Sequence, residues 1–232
     1  MIPRPLIIGL TGPNAAGKGE VAAVLGKMGF ALHSLSDVVR EEAARRGLPP
    51  TRENLIRLGN DLRLRHGSGV LARRISRRLR GFDVVDSIRN PVEVQVLRRR
   101  EGFVLVGVDA PRRLRFRRSM RRARPGDALS LRDFVEKERR ENSRRGHAQQ
   151  LGRTLALADL KVRNDRSLGD LERRVRRFLE RLKLSAAGAE KRKGAGAAPQ
   201  PRSRRRGRAR RSRPPLPGRR PAAGRRTRSR AR

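Results

Sequence analysis

Gly12-Pro13-Asn14-Ala15-Ala16-Gly17-Lys18 follows the apolar run at residues 6–11 without a break and leads straight into a stretch of helical period. A G-x-x-x-x-G-K pattern carries meaning in this one context, after a strand and at the start of a helix. There, successive backbone N–H groups converge on anionic oxygens, the helix N-terminus adds partial positive charge, and the lysine ammonium reaches the outer phosphates. The pattern therefore predicts a parallel α/β sheet with the phosphates of ATP at its first strand–helix turn. Gly12, Pro13, Asn14, Ala15, Ala16, Gly17, Lys18 and Gly19 would form the cradle. The position after the lysine, normally a Ser or Thr hydroxyl on Mg²⁺, is Gly19 here, with Glu20 next. Glu20 would reach the cation directly or through water, although an acid in a first helical turn more often just complements the helix dipole.

Short apolar runs alternating with helical patterns extend the same reading along the chain. Strands are expected at residues 6–11, 30–34, 82–86, 103–109 and 160–164, and helices at 17–28, 36–46, 91–100, 111–123 and 167–183. Together they predict a three-layer α/β fold with five parallel strands. Residues 51–80 carry Leu55, Leu58 and Leu62 at helical spacing behind a Thr51 cap, and residues 129–156 are helical after Pro125-Gly126-Asp127. These two insertions would enclose an acceptor and form a lid. The absence of cysteine removes disulfides and thiolate metal sites from consideration.

Three further places carry chemistry. Asp86 closes the third strand and is a candidate Mg²⁺ ligand, with Arg89 just beyond it facing the same crevice. Ser36, Asp37 and Arg40 stand where the second strand passes into a helix. Ser36 is expected to cap that helix, while Asp37 would orient or deprotonate an acceptor hydroxyl and Arg40 would grip an acceptor phosphate. After the fourth strand comes a helix crowded with arginine, where Arg118 and Arg122 share a face at i and i+4 among Arg117, Arg121 and Arg124. The stretch Glu138-Arg139-Arg140-Glu141-Asn142 is a lid ion-pair network or, as such runs usually are, a solvated face.

These residues resemble the nucleoside-monophosphate kinase and dephospho-CoA kinase branch of P-loop proteins, and most of all its archaeal kinase-like members. The likeness spans residues 6–183. The resemblance implies a P-loop fold with the five strands in the order 2-3-1-4-5. It also implies an ATP-dependent phosphotransferase acting on a small phosphorylated acceptor, with Asp37-x-x-Arg40 supplying the acceptor arginine and Arg118 and Arg122 closing over the transferring group. Asp86-Ser87-Ile88-Arg89 is similar to the family's Asp-Gly-Phe-Pro-Arg element but one residue shorter. The loop after the fifth strand would bring Asn164 near the adenine.

Charge divides the chain. Residues 185–232 hold 18 of the 61 Lys and Arg and one of the 22 acids, set among Ala, Gly, Pro and Ser. A segment of that composition buries too little to offset its ordering entropy, so a domain at 1–184 and a disordered basic tail at 185–232 are expected. The tail lacks aromatic residues for base stacking, and any nucleic-acid contact would be to phosphates and salt-sensitive. The opening apolar run is too short for a membrane span or a signal-peptide core, which suggests a cytoplasmic protein without membrane contact. Two alternatives to phosphoryl transfer stay open: an ATP-binding regulator or weak ATPase, favoured by Gly19, and a nucleic-acid-associated protein tethered by the tail. No motif specifies the acceptor, or chooses between monomer and homodimer.

Overall fold

The computed structural model describes residues 5–123, 127–142 and 145–195. Its sheet has five parallel strands, β1 (Leu6–Thr11), β2 (Ala31–Ser34), β3 (Phe82–Ile88), β4 (Phe103–Asp109) and β5 (Leu160–Arg163), in the order β2-β3-β1-β4-β5. This is the expected topology. The helices are α1 (Lys18–Lys27), α2 (Leu35–Arg45), α3 (Arg52–His66), α4 (Val70–Ser76), α5 (Pro91–Leu97), α6 (Arg112–Arg122), α7 (Leu131–Arg140), α8 (Leu151–Ala156) and α9 (Leu168–Ala195). The sheet and its helices up to Gly188 form one compact unit, and a second begins at Ala189.

Strand alternation sends successive side chains to opposite faces, and both faces are covered. Ile7, Val85 and Leu105 pack with α2, α3, α4 and α5, whereas Ile8, Leu10, Val84, Val106 and Val108 pack with α1 and α9. Ile8, Leu10 and Leu105 are fully buried, each contributing roughly 1.5–3 kcal/mol from removal of apolar surface from water. The crossover helices leave every strand's carboxyl end on one side of the sheet, where the turn after β1 lies.

The structure departs from the sequence expectations in four places. β3 runs two residues past Asp86, because its pairing with β1 slips: Gly9 faces Val85 but Thr11 faces Ile88. The extra residue is absorbed at Asp86-Ser87, where Ser87 adopts φ 65°, and Thr11 Oγ1 donates to the Ile88 carbonyl at 2.8 Å to close the bulge. Residues 51–80 form two helices rather than one, because Gly67 (φ 82°) ends α3 in a backbone conformation that other residues resist. Ser34, not Ser36, caps α2 by accepting the Ser36 N–H. Finally, α9 continues to Ala195 through the point at which the tail was expected to begin, since Ala186, Ala187, Ala189, Glu190, Lys191, Arg192 and Lys193 all favour helix. The remainder of the expected tail, residues 196–232, lies outside the described residues, as do Arg124, Pro125 and Gly126. Among the described residues, no helix is long and apolar enough to cross a membrane.

Candidate active site

The turn between β1 and α1 is held in its curved form by three left-handed residues, Gly12 (φ 137°), Ala15 (φ 57°) and Gly17 (φ 97°). Two supports lie beneath it. A β-carbon on Gly12 would fall 2.0 Å from the Val108 carbonyl oxygen of β4, and one on Gly17 would fall 2.0 Å from Asn164 Nδ2. Asn164 itself donates to the Ala16 carbonyl at 2.9 Å, so the loop after β5 braces the cradle from below. Gly12→Ala is accordingly expected to cost about 3 kcal/mol or more, combining backbone strain with overpacking against main chain. Chemical denaturation reads this directly, and a wild-type midpoint would show that the loop is not seated on β4. Gly19 has open space where its side chain would be, so packing does not explain the missing hydroxyl.

Lys18 Nζ donates to the carbonyls of Gly12 (2.9 Å) and Pro13 (3.0 Å), placing its ammonium inside the curl of the loop. Burial lowers its pKa to about 8; Asp86 and Glu141 oppose the shift, while Arg89 and Arg115 reinforce it. Near pH 7 the group is largely protonated, and it loses its proton as pH rises through about 8. A polyphosphate favours the ammonium, so binding above that pH takes up a proton. With a free-state pKa of about 8, ATP affinity is expected to fall about fivefold between pH 8 and pH 9. Titration calorimetry in buffers of different ionisation heat counts the proton; a pH-independent affinity over that interval would contradict the placement of the ammonium on the phosphates.

Across from the loop, the β3 bulge presents Asp86, whose Oδ1 accepts the Ser87 N–H at 2.5 Å. Beside it runs a line of hydroxyls: Ser34 Oγ lies 3.1 Å from Ser87 Oγ and 2.9 Å from Ser36 Oγ, which accepts from Arg40 at 2.8 Å. Arg40 also pairs with Asp37 at 2.8 Å, with both side chains about half exposed. Ser34 and Ser87 were not singled out in the sequence. The donor set suits Mg²⁺, a cation that takes oxygen ligands and typically one or two protein carboxylates together with substrate phosphates; Asp86 supplies such a carboxylate at the strand end facing Lys18.

The third wall is built from arginines and acids that converge from distant elements. Arg89 donates to Gln149 Oε1 at 2.9 Å and to Glu141 Oε2 at 3.3 Å. Arg52, at the start of α3, binds Glu141 Oε1 through Nε (3.1 Å) and Nη2, and Asp127 through Nη1 (3.2 Å). Arg122 pairs with Asp127 at 3.0 Å and approaches Asn14 Oδ1 at 3.5 Å. Arg118 donates to the carbonyl of Asn164 at 3.0 Å, and burial draws its pKa below the ordinary arginine value. Arg115, which the sequence did not distinguish from its neighbours, is buried, binds Glu138 and the Ala110 carbonyl, and lies 3.4 Å from the Asn14 carbonyl. Glu141 is only 4% exposed. Within 138–142, Glu138 and Glu141 turn inward onto these arginines, while Arg139, Arg140 and Asn142 stay exposed, so the stretch is an internal ion-pair network on one side and a solvated face on the other.

These walls enclose a cleft of about 950 Å³. All of the sequence-predicted site residues line it except Gly12, Pro13 and Ala16 of the loop itself. Asp37 and Arg40 stand on the α2 side, Arg118, Arg122 and Asn164 on the α6 side, and Glu20 at the rim. Arg52 and Gln149 join them although no sequence motif marks them, and so does Glu141, from the stretch read as a lid ion-pair network or a solvated face.

Residues 11–134 match AAA_17, a family described as an AAA domain. A UPF0200 protein of Hyperthermus butylicus is 39% identical over 181 residues, which cover 76% of this chain and 95% of that one. The chain belongs to the AAA_17 and UPF0200 families. The UPF0200 likeness extends to an archaeal protein of Aeropyrum pernix, 38% identical over 75% of this chain and 92% of that one. Among solved structures, TT1252 from Thermus thermophilus superposes with a TM-score of 0.51 at 27% identity, covering 78% of this chain and 99% of its own. A shikimate kinase from Bacteroides thetaiotaomicron shares the fold, with a TM-score of 0.50 at 15% identity, over 75% of this chain and 98% of that one. The UPF0200 chain thus has a P-loop kinase-like fold, with a single cleft joining its phosphate loop to arginine-bearing walls.

Proposed function

We propose that the protein transfers the terminal phosphoryl group of ATP to a small nucleotide-type acceptor, a nucleoside monophosphate or a dephospho-CoA-like molecule. The observation that carries this reading is the continuity of one cleft, with Lys18 at its floor, Asp37 and Arg40 on one wall and Arg118 and Arg122 on another. A simple nucleotide-binding switch needs the loop; a cavity beside it lined by cations and a carboxylate is what a second substrate needs.

In this reading the loop amides and Lys18 hold the outer phosphates of ATP, and Asn164 fixes the loop's shape from below. Arg118 and Arg122 offset charge spread over the equatorial oxygens of the phosphoryl group in flight. For a hydroxyl acceptor, as in a dephospho-CoA-like molecule, Asp37 orients the hydroxyl and accepts its proton as the new P–O bond forms. For a nucleoside monophosphate, a phosphate oxygen of the acceptor attacks and no base is needed. In both cases ADP leaves with the electrons of the bond that breaks. Arg40 and Arg89 grip the acceptor's own phosphate. Asp86 would hold Mg²⁺, which would supply positive charge to offset that of the transferring group.

A weak ATPase or ATP-dependent regulator is the second reading, favoured by one observation: neither Gly19 nor Glu20 supplies the hydroxyl usual after the loop lysine. An ATP-consumption screen over nucleoside monophosphates and dephospho-CoA separates the two. Transfer predicts that at least one acceptor raises turnover above both the acceptor-free rate and the Lys18→Ala control. If none does, while acceptor-free hydrolysis persists, the second reading stands.

A further inference from the structure

The arginines on the acceptor side of the cleft are already holding an anion, and that anion is part of the chain. Arg52 from α3 and Arg89 from the β3 exit approach each other over a separation of 37 positions in sequence, and both close on the carboxylate of Glu141. Gln149 completes the pocket by accepting from Arg89 at 2.9 Å. Two guanidiniums converging on one oxyanion group is the arrangement by which proteins recognise phosphate as readily as carboxylate.

Glu141 is poorly suited to its own local position. It is the C-cap of α7, preceded by Lys137, Arg139 and Arg140 in the last turn. A carboxylate there faces the negative end of the helix dipole, where cations are favoured. Arg52 is equally misplaced locally, a cation in the first turn of α3 where acids are favoured. Neither helix end selects these charges, so what holds them is their meeting across the cleft. The pocket also adjoins the phosphate loop: Arg122, paired with the same Asp127 as Arg52, reaches Asn14.

We propose that Arg52, Arg89 and Gln149 form a phosphate subsite and that Glu141 is its resident plug, displaced when a phosphate dianion enters. This rests on the cleft being a substrate site, as proposed above, and it adds the anion that must leave before an acceptor phosphate can bind. The plug keeps two partly buried guanidiniums paired while the site is empty, each with about a quarter of its side chain exposed, where leaving a half-desolvated charge without a partner would be costly. Glu141 swings out with the end of α7 on exchange, so acceptor binding and the position of that helix are coupled.

The test uses the full chain in a Lys18→Ala background, so that phosphate on the loop does not contribute. Inorganic phosphate and glycerol 3-phosphate are titrated calorimetrically against Lys18→Ala alone and against Lys18→Ala with Glu141→Gln. Removing the plug is expected to raise phosphate affinity about tenfold, the factor for freeing a site that is about nine-tenths occupied by its own inhibitor. Adding Arg52→Ala should abolish that gain. A preference for glycerol 3-phosphate assigns the pocket to a phosphomonoester acceptor, and a preference for inorganic phosphate assigns it to the free ion. Equal or weaker affinity in the Glu141→Gln protein, with an unchanged melting temperature, would overturn the proposal and leave Glu141 a structural ion pair.

If Glu141→Gln fails to fold, hydrogen exchange on the otherwise native Lys18→Ala chain decides: saturating phosphate should accelerate exchange at the end of α7, and unchanged or slowed exchange there would refute displacement. Because neither readout involves ATP turnover, a chain that binds phosphate here but transfers none would contradict the transferase reading while keeping the subsite.

Discussion

Glu93→Ala is expected to lower the unfolding free energy by about 3–5 kcal/mol, the cost of stranding a buried charge by removing its partner. Glu93 is fully buried, and both of its oxygens are engaged: Oε1 accepts from Arg63 at 2.8–2.9 Å, and Oε2 from the N–H groups of Arg89 (2.9 Å) and Asn90 (3.0 Å). Arg63 is itself only 3% exposed. The same carboxylate closes the capping box of α5, with Asn90 as the cap and Pro91 at the first helical position. One side chain thus fixes the start of a helix, neutralises an arginine on the cleft wall and sets the backbone from which Arg89 projects. Urea denaturation of Glu93→Ala, Arg63→Met and the paired Arg63→Met/Glu93→Leu protein checks this. The double replacement should recover only the part of the loss due to stranding Arg63, since an apolar pair avoids the desolvation cost but leaves the Arg89 and Asn90 N–H groups without the carboxylate that accepts them. A Glu93→Ala midpoint within about 0.5 kcal/mol of wild type, the size of an ordinary surface change, would contradict this account of the pair.

Lys18→Ala is expected to reduce ATP-dependent turnover by about 10²–10³-fold, the loss seen when one preorganised donor to developing charge is removed. Its ammonium is held on the Gly12 and Pro13 carbonyls inside the curl of the loop, and under the proposed function removing it takes charge from the place where the transferring group gathers it. The fold should survive, because the strain of the turn is carried by Gly12, Ala15 and Gly17 and its support by Asn164 and β4. Steady-state kinetics together with a thermal melt separate the two effects. Turnover within threefold of wild type would remove Lys18 from catalysis.

The parts legible in the sequence are those governed by short-range physics. Alternating apolar runs set apart by helical patterns marked the strands and a parallel sheet covered on both faces, while their order followed from the resemblance to P-loop kinases and not from the pattern. The phosphate loop was legible because its glycines answer a local need, left-handed backbone at Gly12 and Gly17 against β4 and Asn164. Asp37, Arg40, Asp86, Arg89, Arg118 and Arg122 were found by position at strand ends and helix faces, and the fold brings all of them to one cleft.

What escaped depends on partners distant in sequence. Glu141 sits in a run of charge that reads as solvated surface, and only the return of α7 over the cleft buries it against Arg52, 89 positions away. Arg115 is indistinguishable by type from the arginines around it on α6; its burial under Glu138 comes from the packing of Phe116 on Phe134, with ring centroids 5.8 Å apart. Ser87 drew no notice because a bulge depends on the register of two strands, which neither strand's own residues reveal. The charge at the wrong helix end, as at Arg52 and Glu141, was the signal available for the acceptor wall.

The central claim is that the turn after β1 is a nucleotide-phosphate cradle completed by Lys18. Titration calorimetry of the purified protein with ATP in the presence of magnesium tests it most directly. Saturable one-to-one binding, competed by ADP and lost in Lys18→Ala, is the predicted result; no measurable heat, or equal binding by wild type and Lys18→Ala, would contradict it.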